Sequence, residues 1–309
     1  MLIQPIHNHK DAISYPVIHQ TIITEISGSR TPDSTVSALL TALKDCDIFS
    51  SKMKPSRIGL FLGTTLSNFY IRDDNFQKFS LHGLRVMNPA NAPKGLISYI
   101  GGQLAIKLNI KGMQSTVSSS SSQGLDALSQ GMYYLARNQE NFAIVIELKE
   151  QIEGDFECSI RAGSILILKN ASESRDSGVS VSLLGLESFF ERKNNNKGLI
   201  KALAKIIKSY DINLKNIDSI ILSGVHSNQE SNSAKEVIDS VKGLSQIPEI
   251  KLSGNDQLGN SGLFLLSIIA KNGTFNNNKD KSSSVVLFLH LGQDSNSSCL
   301  LLSLKKEVR

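Results

Sequence analysis

The stretch TVSSSSSQGLDAL, residues 116–128, decides how the chain folds, because it joins a short strand to a helix through a tight turn. Its serine run and Gly124 are typical of a small-residue turn. Apolar side chains behind the turn recur at helical spacing and predict one buried helix face: Leu125, Leu128, Met132 and Leu135. Residues 142–148 then form a nearly continuous apolar segment, which predicts a buried strand. This βαβ order indicates a parallel sheet that is covered on both faces.

Upstream of this unit, RIGLFLGTT at residues 57–65 predicts another short buried strand that ends in a turn. Apolar spacing predicts helices over residues 34–43 and 96–108, and the glycine pair Gly101 and Gly102 interrupts the second. The first half of the chain therefore has the alternation of strands and helices that defines an α/β fold.

The second half of the chain repeats this alternation. Helical and strand-like segments follow each other at 199–210, 219–222, 234–241, 261–270, 285–289 and 299–304. We therefore divide the chain into an N-terminal half, residues 1–171, and a C-terminal half, residues 172–309. Two βαβ-rich halves of similar size indicate an internal duplication, although no sequence repeat is visible.

The composition argues against several classes of protein. The formal charge is only +5 and the basic residues are spread along the chain, so a nucleic-acid-binding surface is not expected. No apolar run reaches the ~20 residues that cross a bilayer, and no secretory leader is recognisable, so we expect a cytoplasmic protein without membrane contact. Cys46, Cys158 and Cys299 and the scattered histidines predict neither a disulfide framework nor a metal site. No cofactor is expected.

Three motifs of the first half resemble those of the β-ketoacyl synthases. RIGLFLGTT is similar to the RIGVxxGTT strand and turn of that family, and residues 88–112, NPANAPKGLISYIGGQLAIKLNIKG, resemble the segment before its nucleophile. TVSSSSSQGLDAL resembles TVSTACASGLDAL, the family's nucleophile elbow, with Ser121 in the place of the cysteine. The resemblance implies a thiolase-like fold, in which two duplicated halves form a layered αβαβα core, here pruned relative to a full synthase.

The strand and loop at residues 217–236, IDSIILSGVHSNQESNSAKE, resemble the family's strand that ends in HGTSTPxNDxxE. Val225 takes the position of the first catalytic histidine, and His226 follows one residue later. The first of the two histidines that the family uses is therefore displaced or absent.

The segment KLSGNDQLGNSG, residues 251–262, resembles the family's KSxxGHxxGAAG. It retains Lys251, but Asp256 replaces the second histidine. Near the end of the chain, only Gly292 remains of the family's glycine turn. The C-terminal half thus resembles the family more loosely than the N-terminal half does.

These substitutions oppose the chemistry that the resemblance implies, which is decarboxylation of a malonyl thioester and its condensation with a cysteine-bound acyl chain. A cysteine at a helix N-terminus reaches a useful thiolate fraction near neutral pH, whereas Ser121 would need a strong adjacent base. Asp256 would repel the enolate that the two histidines stabilise, and Gln293 with Asp294 would not reproduce the oxyanion donor of the glycine turn. We predict that the chain has no condensing activity.

A synthase-like chain without its cysteine resembles a chain-length factor. The resemblance implies a heterodimer with an active ketosynthase in a type II polyketide system, such as those that make aryl polyenes. Such subunits shape the tunnel that receives the growing chain, which acyl carrier protein delivers to the complex. The implied partners are therefore a ketosynthase and, through the complex, acyl carrier protein.

Two segments correspond to the family's tunnel end and dimer contact. Residues 91–99 match the loop and helix that cross towards the partner's tunnel, although ordinary interface packing explains them equally well. Residues 113–118 match the strand that pairs with its counterpart across the dimer, and their alternation of polar and small residues suits such a strand. The residues implied are Asn91, Leu96, Ile97, Tyr99, Gln114, Thr116 and Ser118.

Two other functions stay open from the sequence. Ser121 is the candidate nucleophile of a free-standing acyltransferase or thioesterase, with Lys251 or His226 assisting. The structural alternatives are a small residue in a tight turn, a lysine that binds backbone carbonyls and a loop histidine. The third interpretation is a scaffold that stabilises the ketosynthase without affecting chain length.

Overall fold

Ten strands and five helices make up the part of the chain that the computed structural model describes. That part comprises residues 15–23, 31–44, 49, 54–64, 69–86, 88–119, 122–137, 141–153, 157–169, 181–190, 197–210, 216–223, 236–239, 249–251, 283–291 and 296–305.

Five strands of the N-terminal half form a mixed sheet in the order β3-β2-β4-β5-β1. Their bounds are β1 Tyr15–Ile23, β2 Ile58–Thr64, β3 Gln114–Ser118, β4 Phe142–Glu153 and β5 Glu157–Lys169. β2 runs parallel to β3 and β4, whereas the β4–β5 and β5–β1 pairs are antiparallel. The parallel pairs require crossover connections, which the helices of this half provide.

The C-terminal half contains a second set of five strands, in the order β8-β7-β9-β10-β6. Their bounds are β6 Val181–Phe190, β7 Ile217–Ser223, β8 Glu249–Lys251, β9 Ser283–Leu291 and β10 Asn296–Lys305. β7 runs parallel to β8 and β9, and the β9–β10 and β10–β6 pairs are antiparallel.

The two sets of strands share one topology. When β6 to β10 are matched in chain order with β1 to β5, both strand order and strand direction coincide. Tyr15 and Pro16 of β1 pair with β6, so this strand joins the two sets. The duplication predicted from the sequence is confirmed at the level of topology, while the boundary at residues 171 and 172 stays a prediction.

The helices are α1 Pro32–Leu43, α2 Phe69–His82, α3 Tyr99–Lys107, α4 Gln123–Arg137 and α5 Lys197–Ser209, and a helical turn covers residues 236–239. α3 begins later than the predicted residue 96, because 3₁₀ turns at Pro89–Asn91 and Pro93–Gly95 precede it and Leu96 is extended. Neither β1 nor β6 nor α2 was predicted from the sequence. The predicted helix at 261–270 lies outside the described residues.

α4 occupies the layer between the two sheets. Its four predicted apolar residues are all buried, and they share one core cluster with Phe61 and Val145 of the first sheet and Phe288 and Leu300 of the second. A helix that is apolar towards two sheets must be covered on both sides, which sets the centre of the layered core.

Two further clusters cover the outer faces of the sheets. α1 and α3 pack on the first sheet, where Leu39 and Leu104 meet Leu62 and Ile146. α5 packs on the second sheet, where Leu203 is one of the core residues. The layers therefore follow the order helix, sheet, helix, sheet, helix, as the αβαβα prediction required.

Candidate functional site

The predicted nucleophile elbow lies at the carboxyl edge of the parallel strands β2, β3 and β4. β3 ends at Ser118 and α4 begins at Gln123, so the turn between them is short. This edge of an open parallel sheet is where α/β proteins place ligand-binding residues. Ser121 itself lies outside the described residues.

In the sequence, the other residues predicted to replace the catalytic set follow strands β7, β8 and β9. Val225, His226, Asp256 and the turn at residues 292–295 are outside the described residues. Lys251 is the last residue of β8, and only its backbone is described. The sequence-based roles of these residues therefore stay predictions.

Asp126, in the first turn of α4, organises the described part of the elbow. The hydroxyl groups of Ser119 and Ser122 both donate to its Oδ2 atom, each at 2.9 Å. The amide of Asp126 also donates to the carbonyl of Ser122 at 2.9 Å. Ser119 and Ser122, the described serines on either side of residues 120 and 121, are therefore hydrogen-bonded to the helix that follows.

Two glycines allow α4 to approach the first sheet at this point. A Cβ atom on Gly63 would overlap the backbone of Gln123, and a Cβ atom on Gly124 would overlap the carboxylate of Glu147. The start of α4 is thus held directly against β2 and β4. Such close contact favours the interpretation that small residues in this turn are required for packing.

Glu147 and Lys149 are charged residues on the inner face of β4. Glu147 is buried beneath Gly124. Burial lowers the pKa of the Lys149 ammonium, while the nearby charge of Glu147 raises it. The sequence analysis read residues 142–148 only as an apolar strand. Alternate residues of a strand face the same side of its sheet. The spacing of Glu147 and Lys149 in the sequence therefore could have placed both on the same face of β4.

Ser223 and His290 form a second polar pair, at the ends of the parallel strands β7 and β9. They are direct neighbours in the sheet, both are 0% exposed, and His290 Nδ1 lies 3.0 Å from Ser223 Oγ. The sequence analysis treated His290 as one of several dispersed histidines. The position of His290 near the end of an apolar strand could have predicted that this histidine is buried.

Cys299 of β10 is fully buried. Burial raises the pKa of the Cys299 thiol, which lies on the outer face of the second sheet. Among the described residues, no three His, Cys, Asp or Glu side chains lie together as a metal ion would require. No described helix is both long and apolar enough to cross a membrane.

The predicted interface residues lie together around β3 and the start of α3. Leu96 is 57% exposed and Ile97 is 40% exposed, whereas Asn91 and Tyr99 are half-buried. Gly101 of α3 lies close to β3, because a Cβ atom there would be 3.0 Å from the side chain of Thr116. The loop, α3 and β3 therefore form one continuous region.

β3 is an edge strand, and β2 is its neighbour in the described sheet. Gln114 and Ser118, at its ends, are exposed, and Thr116 is half-buried. An edge strand presents unpaired backbone groups that can accept another strand.

The structure adds a set of exposed apolar side chains that sequence reasoning missed. They lie on α2 and on the turn after it: Phe76, Phe79, Leu81, Leu84 and Val86. Phe76 is 67% exposed and Leu81 is 76% exposed. α2 contacts the Pro93–Gly95 turn, so this set borders the region around Leu96 and Ile97. We call the two sets together, with Ile106 and Met113, the apolar surface.

Comparison with known proteins supports the fold. Residues 35–149 match the β-ketoacyl synthase N-terminal domain. No curated protein sequence matches the chain.

Solved structures match over most of their length but at low identity. The ketosynthase ApeO in complex with its chain length factor ApeC, from Xenorhabdus doucetiae, matches with a TM-score of 0.64 at 18% identity, over 90% of this chain and 82% of that chain. The ishigamide ketosynthase/chain length factor matches with a TM-score of 0.64 at 14% identity, over 85% and 77%.

A third structure is a type II polyketide synthase acyl-carrier protein in complex with its ketosynthase, AntDE:AntF. It matches with a TM-score of 0.65 at 16% identity, over 88% of this chain and 82% of that chain. The chain therefore has the thiolase-like fold of the ketosynthases, and its residues 35–149 match the family model of the β-ketoacyl synthase N-terminal domain.

Proposed function

We propose that the chain is a non-catalytic subunit of the chain-length-factor type. It pairs with an active ketosynthase in the cytoplasm and shapes the tunnel that receives a growing polyketide or polyene chain from acyl carrier protein. The observation that carries this proposal is the apolar surface beside the edge strand β3.

The apolar surface is larger than scattered exposed residues would explain. It contains nine large apolar side chains that are at least 40% exposed, and they lie on α2, on α3, on the turn after α2 and on the segments before and after α3. Single exposed apolar residues are normal, but a contiguous set marks an interaction site. A stable subunit interface buries about 800 Å² on each partner.

The edge strand supports the same conclusion. Proteins protect an exposed edge with charges, prolines, bulges or a covering element. β3 contains none of the charged or proline residues, since its sequence is Gln-Ser-Thr-Val-Ser. An equivalent strand from another subunit would satisfy its outer backbone groups and would place the apolar surface in the interface.

The substitutions at the catalytic positions support a non-catalytic role. Ser121, Val225 and Asp256 replace the thiol and the two imidazoles on which the family's reaction depends. The two hydroxyls that flank residue 121 in the described chain donate to Asp126, a contact that stabilises the turn. The ketosynthase partner would supply the chemistry.

Two of the similar structures contain a ketosynthase with a chain length factor, and a third contains a ketosynthase with its acyl-carrier protein. These complexes are properties of the similar proteins themselves. They support the proposed pairing, because chains of the same fold take part in these assemblies.

The test of the pairing is co-expression with an active ketosynthase of the same genome, followed by size-exclusion chromatography with light scattering. We expect a heterodimer, and we expect Leu96→Asp combined with Ile97→Asp to abolish it. Ala204→Asp, on the exposed side of α5, is the matched control and should leave it intact. A monodisperse monomer at micromolar concentration in the presence of the ketosynthase would contradict the proposal.

The tunnel role has its own test. A growing chain stops when its tip meets side chains that it does not displace, and displacing a well-packed side chain costs about 1–3 kcal/mol. Asn91→Phe or Leu96→Trp should therefore shorten the product of the complex without slowing the first condensations. Product lengths are read by mass spectrometry. Unchanged lengths from both assembled variants would favour the stabilising scaffold instead.

A further inference from the structure

Asp33, at the start of α1, binds two residues of the segment that leads into α3. Lys94 Nζ donates to Asp33 Oδ2 at 2.7 Å, and the Tyr99 hydroxyl donates to Asp33 Oδ1 at 2.8 Å. Both carboxylate oxygens are therefore occupied by donors that lie more than sixty positions away in the chain. We call these three residues the Asp33 cluster.

The helix that carries Asp33 holds the carboxylate in place independently of α3. Pro32 begins α1, and Thr31 and Ser34 form a reciprocal capping box around the helix start. A carboxylate in the first turn also interacts favourably with the helix dipole. Asp33 is thus a fixed anchor in the outer layer of the first sheet.

The anchored segment is the part of the chain that presents Leu96 and Ile97. Lys94 lies before these two residues and Tyr99 follows them, so the Asp33 cluster holds the segment on both sides. Ser98, the N-cap of α3, makes no side-chain cap hydrogen bond. The contact from Tyr99 to Asp33 therefore connects the first residue of α3 to α1.

We propose that Asp33 is a positioning residue, which holds Leu96 and Ile97 in the orientation that a ketosynthase partner binds. This inference rests on the proposed pairing. Exposed apolar side chains gain free energy when they turn inward, so a segment without an anchor would sample collapsed conformations. Fixing the bound conformation in the free chain reduces the entropy that association loses.

The protonation states agree with this role. The hydrogen bond from Lys94, and then that from Tyr99, lower the pKa of the Asp33 carboxyl. A lowered folded-state pKa means that the contribution of Asp33 to stability is present above the unfolded-state pKa. It is lost only as the pH falls through the lower value in the folded chain. The cluster is therefore intact throughout the neutral range.

The first measurement concerns the chain alone. Hydrogen–deuterium exchange of a peptide that spans residues 88–99 should be faster in Asp33→Ala than in the wild type, with Asp33→Asn between them. Asp33→Glu keeps the carboxylate and should restore much of the protection. Asp239→Asn, an exposed aspartate of the C-terminal half, is the matched control. The melting temperature of all variants should stay close to that of the wild type.

The second measurement is the affinity for the active ketosynthase of the same genome, read by calorimetry. We expect Asp33→Ala to weaken binding about tenfold and Asp33→Asn about threefold. Asp33→Glu and Asp239→Asn should bind within about twofold of the wild type. This order in both measurements, at unchanged melting temperature, would support positioning.

Two results would overturn the positioning role of Asp33, and they can be told apart. If the wild type binds the ketosynthase and Asp33→Ala binds equally well, the pairing stands and the positioning role is wrong. If the wild type does not bind the ketosynthase, the proposed pairing is wrong, and the positioning role is then wrong as well. Unchanged exchange in Asp33→Ala would also overturn the inference, whatever the affinity.

Discussion

The inner faces of the two sheets differ near the carboxyl ends of the parallel strands that their shared topology makes equivalent. In the first sheet, Gly63, Glu147 and Ser164 are neighbours across β2, β4 and β5. The glycine leaves room for the start of α4, and Glu147 lies beneath Gly124. The polar residues of this row therefore face a helix that is pressed against them.

In the second sheet, Ser223, His290 and Ser298 are neighbours across β7, β9 and β10. Ser298 also contacts Ser188 on β6, with 2.9 Å between the hydroxyl oxygens. These side chains bind one another within the sheet. The two sheets thus share one topology but differ in the contacts that their buried polar groups make. Strand order determines which residues are neighbours, but it does not determine the chemistry of their side chains.

The largest effect is expected where α4 meets the first sheet. Gly124→Val would push a branched side chain into the carboxylate of Glu147, which is buried. We expect the free energy of unfolding to fall by about 3 kcal/mol or more. Urea denaturation measures it.

Gly102→Ala in α3 is the matched control, because an added carbon there would meet only the Gln114 side chain at 3.8 Å. It should raise stability by about 0.5 kcal/mol, since alanine favours a helix over glycine. Gly124→Val with wild-type stability would show that α4 is not held against β4 as described.

The next effect concerns the polar row of the second sheet. Ser223→Ala removes the hydrogen-bond partner of His290 Nδ1 inside the core and should lower the free energy of unfolding by about 2 kcal/mol. The double variant Ser223→Ala with His290→Phe should be closer to the wild type than the single variant, because both polar groups are then gone. Strictly additive losses would contradict the coupling.

A smaller effect is expected at Lys149. Burial lowers the pKa of its ammonium below 10.5, so the unfolded chain binds more protons between the two pKa values. The contribution of Lys149 to the free energy of unfolding of the wild type should therefore rise as the pH rises towards 10.5. Lys149→Met should be more stable than the wild type at pH 7, by at most about 1 kcal/mol after solvent screening.

Comparing the unfolding free energies of both chains at neutral and alkaline pH tests this prediction. The advantage of Lys149→Met should shrink at alkaline pH. Lys201→Met, at an exposed position of α5, should change stability by less than about 0.5 kcal/mol at either pH. An equal gain from both substitutions would show that the environment of Lys149 has no special role.

The smallest effect is expected at Ser121. Ser121→Ala in the assembled complex should leave product turnover within about twofold of the wild type, because the proposed ketosynthase partner would carry the chemistry. A loss of about a hundredfold or more would show that this serine acts as a nucleophile. Mass spectrometry of the chain after incubation with an acyl thioester provides an independent measurement.

Local patterns were sufficient for much of the fold. The apolar spacing over residues 125–135 identified α4 and its buried face, and the apolar strands β2, β4 and β9 were recognisable without a structure. By contrast, α2 was missed because its polar and apolar residues do not follow a helical face. β1 and β6 were missed because their pairing depends on distant strands.

The amino-acid sequence by itself determined the α/β class, the resemblance to the synthases and the absence of cysteine at residue 121, because these depend on local periodicity and on residue identity. Only the tertiary structure decided which distant groups meet. Ser223 meets His290, and Asp33 meets Lys94 and Tyr99. Such contacts join positions that are more than sixty residues apart, and the packing of sheets and helices, rather than local spacing, brings them together.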